Sequence, residues 1–428
     1  MKGEDADLVV FNAEIHILNE GNKIVEAMAI KDGRIIEFGP DRQILNKYAY
    51  KSSIDARGKE IYPGFIDSHG HLLSYAELLL SADLVGSSSQ KDMIERVVNY
   101  QDVNNKKIVI GRGWDQSLWD DSSFPDNQLL NESFKDTPVC LYRIDGHSAL
   151  INDAFINLLG EFQVPDGGEV LTRTDGHYSG LFIDAALMLL DPFIPKFPDA
   201  AIKEKLKEIQ SELFSYGVTG VHEAGVDFEE LELLDQMATT NELSLNIYAM
   251  LSPTQANLDF AKEKGIYRNK NLLVRSFKAY VDGALGSSGA LLKESYHDHP
   301  NYTGLSLTSV EALSSLRDYC LSVNYQLNCH GIGDSAVARI LNMCKVAYHK
   351  KPDHRFRVEH AQLVSPNDFE LFNKYAVFPS VQPTHATTDQ RWAASKIGQE
   401  RLKGAYANKS LLNQFGMIAL GTDFPVEY

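Results

Sequence analysis

From about residue 62 onward the chain alternates short apolar runs with longer stretches of helical periodicity. The runs are Ile61–Ile66, Lys107–Gly111, Val139–Ile144, Val218–His222, Leu245–Leu251, Val274–Val281, Tyr325–His330, Arg355–His360, Val377–Val381 and Met417–Gly421. Helix-like stretches such as Ala201–Tyr216, Val310–Val323 and Ser335–Tyr348 lie between several of them. Parallel strands need a crossover, usually a helix, so this alternation implies a parallel sheet. Eight repeats close a sheet into a barrel. The expected fold class is therefore α/β, a (β/α)8 TIM-type barrel. Ten runs are two too many, and the surplus is expected in insertions near residues 80–200, although the pattern does not say which runs are extra. Within that region Glu169–Arg173, the turn Thr174–His177 and Tyr178–Phe182 read as an inserted hairpin.

Residues 1–62 have another texture. Asp7–Ile17 and Ala27–Ile30 are rich in Val, Ile and Ala. Lys31-Asp32-Gly33 separates Ala27–Ile30 from Arg34–Phe38, and an Asp-Gly between two apolar runs is a hairpin signal. With a second turn at Asp55–Glu60, this reads as a small, partial β-domain over 1–62, followed by the barrel over 63–428.

Bulk properties narrow the function classes. The 428 residues are 44% hydrophobic and 23% charged, so folded structure is expected throughout. The net charge of −17, with no basic stripe interleaved with aromatics, argues against a nucleic-acid partner and against a basic membrane-binding patch. No run approaches the ~18 apolar residues of a spanning helix. The N-terminal Met1–Asp7 lacks the apolar core of a signal peptide. A cytoplasmic location is the default, although a signal removed earlier would leave the same trace. Cys140, Cys320, Cys329 and Cys344 form no C-x-x-C pair and read as free, mostly buried thiols.

The chemistry-bearing residues recur at strand ends. His69 and His71 follow an apolar run, and residues i and i+2 of a strand share a face, so two imidazoles at that spacing converge on one cation. A second His-x-His, His297 and His299, sits in a polar loop and reads as surface structure. What distinguishes the first pair is its company: His330, His360 and Asp423 end three later runs. Nitrogen and oxygen donors of this kind suit zinc. The end of a barrel where its strands terminate is also the catalytic end. His222 and Glu223 end another run and are weaker ligand candidates, and Asp334 is expected to orient a ligand or cap a helix.

Taken together, these segments resemble the amidohydrolase superfamily, and within it amidohydrolase family 3, the group of N-substituted formamide deformylase-like enzymes. The matching stretches are Tyr62-Pro-Gly-Phe-Ile-Asp-Ser-His-Gly-His71, Gly111-Arg-Gly-Trp-Asp115, His147-Ser-Ala-Leu-Ile-Asn152, Lys278-Ala-Tyr-Val-Asp-Gly-Ala-Leu-Gly286, His330-Gly-Ile-Gly-Asp334, Arg357-Val-Glu-His-Ala-Gln362, Gln382-Pro-Thr-His385 and Gly421-Thr-Asp-Phe-Pro-Val-Glu427. They occur in family order over nearly the whole chain.

The resemblance implies a metal-dependent hydrolase of a non-peptide C–N bond acting on a small-molecule amide. It implies His69, His71, Lys278, His330, His360 and Asp423 as ligands to one or two divalent ions, most simply zinc, with Lys278 able to carry CO₂ as a bridging carbamate. Asp423 is the expected general base and acid, with the metal and a nearby histidine polarising the scissile carbonyl; His330 and His385 are the expected catalytic histidines, His385 as a hydrogen-bond partner of the carbonyl or intermediate. Trp114, Asp115, His147, Asp282 and Gly283 are the expected substrate contacts, with a packing role equally open for each. A homo-oligomer is compatible with all of this. Family members continue past the Asp-Phe-Pro-Val-Glu segment, so a C-terminal truncation of the barrel and of the small β-domain is expected. Two other readings remain: a hydrolase or deaminase of cyclic amides and amino-heterocycles, and a catalytically silent fragment or binding scaffold.

Overall fold

The computed structural model describes Gly3–Glu427; Met1, Lys2 and Tyr428, at the ends of the two expected domains, lie outside the described residues. The chain divides into two compact units, one reaching to Phe65 and one beginning at Ile66.

The larger unit is built on eight strands: β1 (Phe65–Gly70), β2 (Val218–Val226), β3 (Asn246–Leu251), β4 (Leu272–Tyr280), β5 (Gln326–Gly331), β6 (Arg357–His360), β7 (Phe378–Val381) and β8 (Ala419–Leu420). They lie side by side in that order. The pairings from β2 to β8 are all parallel. β8 meets β1 again through the loop after it: the Asp423 N–H donates to the His69 carbonyl (2.8 Å), and the Asp67 carboxylate accepts from Thr422 N–H and Oγ1–H. Gly421 permits this approach, since a Cβ there would stand 2.6 Å from His69 N. The expected (β/α)8 barrel is thus present.

Three of the helices between strands start where their sequences supply caps. Ser309 accepts from the Ala312 N–H, Thr254 accepts from the Asn257 N–H, and Asp227 forms a capping box with Glu230. Their apolar faces join the strands in one core that includes Leu206, Met237, Val274, Phe277, Leu327, Ile340 and Phe356.

The two surplus runs lie in an inserted six-stranded sheet between β1 and β2. Its order is Gly168–Thr172, Tyr178–Asp184, Ser148–Ile151, Val139–Arg143, Val109–Trp114 and Ala82–Asp83, with the hairpin Gly168–Thr172/Tyr178–Asp184 antiparallel as expected. Alternate residues feed two cores. Val109, Leu141 and Leu181 pack on one side, while Ile110, Cys140 and Phe182 pack on the other. Both faces are covered, so the runs read as continuously apolar and look like barrel strands.

One boundary differs from expectation. The first barrel strand was expected at Ile61–Ile66 and is Phe65–Gly70. Ile61 instead ends a long strand, Tyr48–Ile61, of the smaller unit. Pro63-Gly64 interrupts the apolar run, because proline cannot donate to a ladder. The shift places His69 within the strand.

In the smaller unit Glu4–His16 is central, antiparallel to Ile24–Val25 and Ala27–Lys31 and parallel to Tyr48–Ile61. Ala27–Lys31 and Arg34–Gly39 form the hairpin expected at Asp32-Gly33, both turn residues having positive φ (50° and 70°). All four cysteines are buried and free. No described helix is long and apolar enough to cross a membrane.

Candidate active site

The strand ends of the barrel gather histidines and carboxylates beneath a cavity of about 560 Å³. His69 is fully enclosed at the end of β1. Its Nδ1–H donates to Glu359 Oε2 at 2.6 Å, which leaves Nε2 as a lone pair. Burial, reinforced by Lys278, pulls its pKa down to about 4, so the ring is neutral. His360 ends β6, and its Nδ1 bonds Gln382 Oε1 at 2.8 Å, freeing Nε2 in the same way. Burial and the neighbouring His330 hold His360 well below the usual imidazole range. Asp423 lies just past β8. Burial would raise its carboxyl, but His69, His71 and His360 together hold it well below the usual range, so it is an anion.

Ligand atoms of His69, His360 and Asp423 all lie within 4.8 Å of one another. Two imidazole lone pairs and a carboxylate repel one another at that range unless a cation lies among them. The donor set therefore fits a divalent cation with mixed nitrogen and oxygen ligands, each histidine oriented through its other ring nitrogen. The backbone is strained to achieve it: His360 (φ 72°), Ala361 (42°) and Asp423 (64°) all adopt the left-handed region that non-glycine residues rarely occupy.

The other expected ligands stand around this trio. His71 Nε2 is 3.1 Å from Asp423 Oδ1. Lys278, almost fully buried on β4, places Nζ 3.0 Å from His69 Nε2. Burial lowers its pKa to about 8. His330 ends β5 with its ring 4.5 Å from that of His360. Its Nε2 donates to the Gly283 carbonyl at 3.4 Å, so Nδ1 is the nitrogen left for the site. His385 Nε2 is 3.8 Å from Asp423 Oδ2 and buried without a hydrogen-bond partner.

Of the expected substrate contacts, Asp115 and His147 line the cavity. Asp115 is held by Arg143 Nη2 at 2.7 Å. Three others lie behind the wall. Trp114 is fully buried in the inserted sheet, its indole N–H donating to the Leu141 carbonyl, because a bulge between Arg112 and Trp114 turns it away from the cavity that Arg112 lines. The Asp282 carboxylate is spent on the backbone N–H groups of Leu291, Ile332 and Gly333, which ties its own loop to the Leu291 and Ile332-Gly333 segments. Gly283 contributes its carbonyl to His330, and its missing side chain makes room for Asp184.

The weaker candidates are structural. Glu223 accepts the Leu72 and Leu73 N–H groups, and His222 Nδ1 accepts from Arg357. Asp334, in the first turn of the helix Asp334–Lys350, accepts from Lys293 N–H and the Ser365 hydroxyl. His299 stacks on Tyr302, and neither it nor His297 lines the cavity.

Sequence reasoning missed Glu359, Arg357 and Asp184. Glu359 precedes His360, and adjacent strand residues normally face opposite ways. The positive φ at His360 breaks that alternation, so both side chains reach the site. Arg357 bonds Glu359, the Ser68 carbonyl and Ser380, anchoring the carboxylate that orients His69. Asp184 bonds His147 Nδ1 at 2.6 Å across the inserted sheet, a pairing that depends on strand register.

Comparison with known proteins follows the same lines. Protein LONG AFTER FAR-RED 3 of Arabidopsis thaliana is 31% identical over an alignment covering 98% of this chain and 76% of that protein. N-substituted formamide deformylase of Arthrobacter pascens is 24% identical over 98% of this chain and 81% of its own length. Among solved structures, an uncharacterized metal-dependent hydrolase from Pyrococcus furiosus aligns with a TM-score of 0.75 and 27% identity, covering 98% of this chain and 86% of that one. The sequence pattern that defines the amidohydrolase family matches residues 53–428, a span that takes in the barrel and every residue of the cluster at its mouth. The chain belongs to the amidohydrolase family.

Proposed function

We propose that this protein hydrolyses a non-peptide, amide-type C–N bond of a small molecule, using a divalent cation, with zinc the best match to the donor set. The observation that carries the reading is the convergence of His69, His360 and Asp423 within 4.8 Å under the cavity. His69, His71, His360 and Asp423 would hold the cation. Lys278, as a carbamate, and His330 complete the set if a second ion binds. A divalent cation bound there lowers the pKa of water from about 15.7 to roughly 7 and polarises a carbonyl.

The chain's own residues supply the remaining steps. Asp423, anionic and facing the cavity, takes a proton from the attacking water. The water oxygen bonds to the carbonyl carbon to give a tetrahedral intermediate. Asp423 then returns the proton to the nitrogen as the C–N bond breaks. His385, with an unengaged Nε2, hydrogen-bonds the carbonyl oxygen as charge builds on it, while the Nδ1 lone pair of His330 faces the cation site. Asp115 and His147 meet the substrate from the inserted sheet, while Trp114, Asp282 and Gly283 shape that wall from behind. The name of the formamide deformylase relative directs the substrate class towards N-substituted amides. Four buried free thiols suit a reducing, cytoplasmic setting.

The test is metal analysis joined to a turnover panel of formamides, N-acyl amines, lactams and amino-heterocycles. Turnover of acyclic amides that chelation abolishes and metal restores is the expected result. Stoichiometric metal without turnover on any member would instead make the protein a binding scaffold. Turnover restricted to the heterocycles would move it to the cyclic class.

A further inference from the structure

Asp184 is placed at unusual structural cost. It ends the strand Tyr178–Asp184 with φ 50°, a conformation a side-chain-bearing residue rarely takes. Its carboxylate is buried between two glycines: a Cβ at Gly283 would stand 2.3 Å from Oδ2, and one at Gly289 would stand 2.1 Å from it. One oxygen accepts from His147 Nδ1 at 2.6 Å, and the other, Oδ2, has no hydrogen-bond partner. The backbone repeats the link, since the Asp184 N–H donates to the His147 carbonyl at 2.8 Å. Strain, two close glycines and a buried carboxylate thus serve a single side-chain contact, and that contact is the imidazole of His147.

His147 is the outward half of the pair. It lines the cavity, and its ring lies 5.2 Å from that of His330, which in turn lies 4.5 Å from that of His360. A row of rings therefore runs from the inserted sheet to the trio at the barrel mouth. With Nδ1 engaged by Asp184, the other ring nitrogen is left for the cavity.

We propose that Asp184 is the positioning residue of His147, locking the tautomer and ring orientation in which Nε2 of that substrate-contacting imidazole hydrogen-bonds the scissile amide group from the side opposite the His69–His360–Asp423 trio. The proposal rests on the amide-hydrolase reading for the identity of the bound group. It gives the inserted sheet a direct part in the reaction, since the barrel strands supply the trio and the insertion supplies the opposing wall.

The experiment uses the metal-loaded full chain with ¹⁵N-labelled histidine, His147 being assigned by its loss in His147→Gln. The wild type should show a His147 Nδ1–H signal typical of a carboxylate-bonded imidazole, and Nε2 should shift when formanilide is added. Asp184→Asn should lose the Nδ1–H signal. It should keep its metal content and lower kcat by about 10–100-fold with KM little changed, the size expected for losing a residue that orients a functional imidazole. Its pH–rate profile should also change, which a merely structural role would not produce. A wild-type His147 without that signal overturns the dyad, and this arm needs neither turnover nor a folded variant. A His147 Nε2 that formanilide leaves unmoved overturns the substrate contact. An Asp184→Asn enzyme with wild-type kcat and pH profile overturns the positioning role. Absence of amide turnover in the wild type, with the Nδ1–H signal intact, would instead count against the broader functional reading.

Discussion

Glu359 Oε2 lies 2.6 Å from Nδ1 of His69, and both side chains are shut away from solvent. Glu359 also forms an ion pair with Arg357, 2.6 Å from Nε to Oε1. Burial alone would raise the Glu359 carboxyl, but Arg357 and His69 hold it far below the usual range. The carboxylate therefore fixes the His69 tautomer and offers Nε2 to a cation. Glu359→Gln keeps the shape and removes the charge. It should weaken metal affinity by about 10–100-fold, read by competition with a chromophoric chelator. It should also leave Arg357 uncompensated, lowering stability by about 3–5 kcal/mol in urea unfolding. Unchanged metal affinity would remove Glu359 from the site's working parts.

Asp423 faces His69, His71 and His385 at once, at 3.5, 3.1 and 3.8 Å. Asp423→Asn keeps its size and loses its basicity. At saturating metal, kcat on any amide substrate should fall by about 10²–10⁴-fold, the range for removing a positioned general base. Near-full turnover with metal bound would sink the assignment.

Lys278 Nζ, 3.0 Å from His69 Nε2, would as an ammonium donate to the lone pair that a cation needs. Converting the amine to a carbamate removes that competition and adds two oxygen donors. The pKa of about 8 that burial imposes leaves part of the amine neutral and reactive near neutral pH. Bicarbonate should therefore raise the metal stoichiometry of the apo protein on reconstitution, and Lys278→Met should abolish the rise. Equal stoichiometry with and without bicarbonate would mean an unmodified lysine.

Glu223 couples pH to stability. Burial raises its carboxyl from 4.5 to about 8, against the pull of the Leu72 and Leu73 N–H groups. A carboxyl that holds its proton more tightly in the folded state adds stability that is complete below the unfolded pKa and is lost as pH rises through the folded one. The Tm of the apo protein should therefore fall between about pH 5 and about pH 8, and Glu223→Gln should flatten that slope. The slope, not the absolute Tm, is the readout, because the amide also changes how the start of helix Leu72–Leu78 is held.

Much of the barrel was legible because its strands are short, apolar and spaced by helices, and because His69, His330, His360 and Asp423 stand at or beside strand ends. The two surplus runs were not separable from barrel strands, since Val139–Arg143 is buried on both faces just as a barrel strand is. Trp114 and Asp282 sit in segments that match the family, yet their side chains turn into packing and loop bracing. Sequence order does not report which way a side chain points after a bulge or at the end of a strand.

The sequence by itself determined the kinds of donor available and the parallel barrel that would bring their strand ends together, because hydrophobic periodicity and ligand chemistry are local properties. Tertiary structure alone decided that Glu359 orients His69, that Asp184 backs His147, and that His360 and Asp423 bend into the left-handed region to meet. Those contacts join residues 290 and 37 positions apart in the first two cases. They depend on register, on glycines that admit a carboxylate, and on backbone strain that only the assembled barrel can hold.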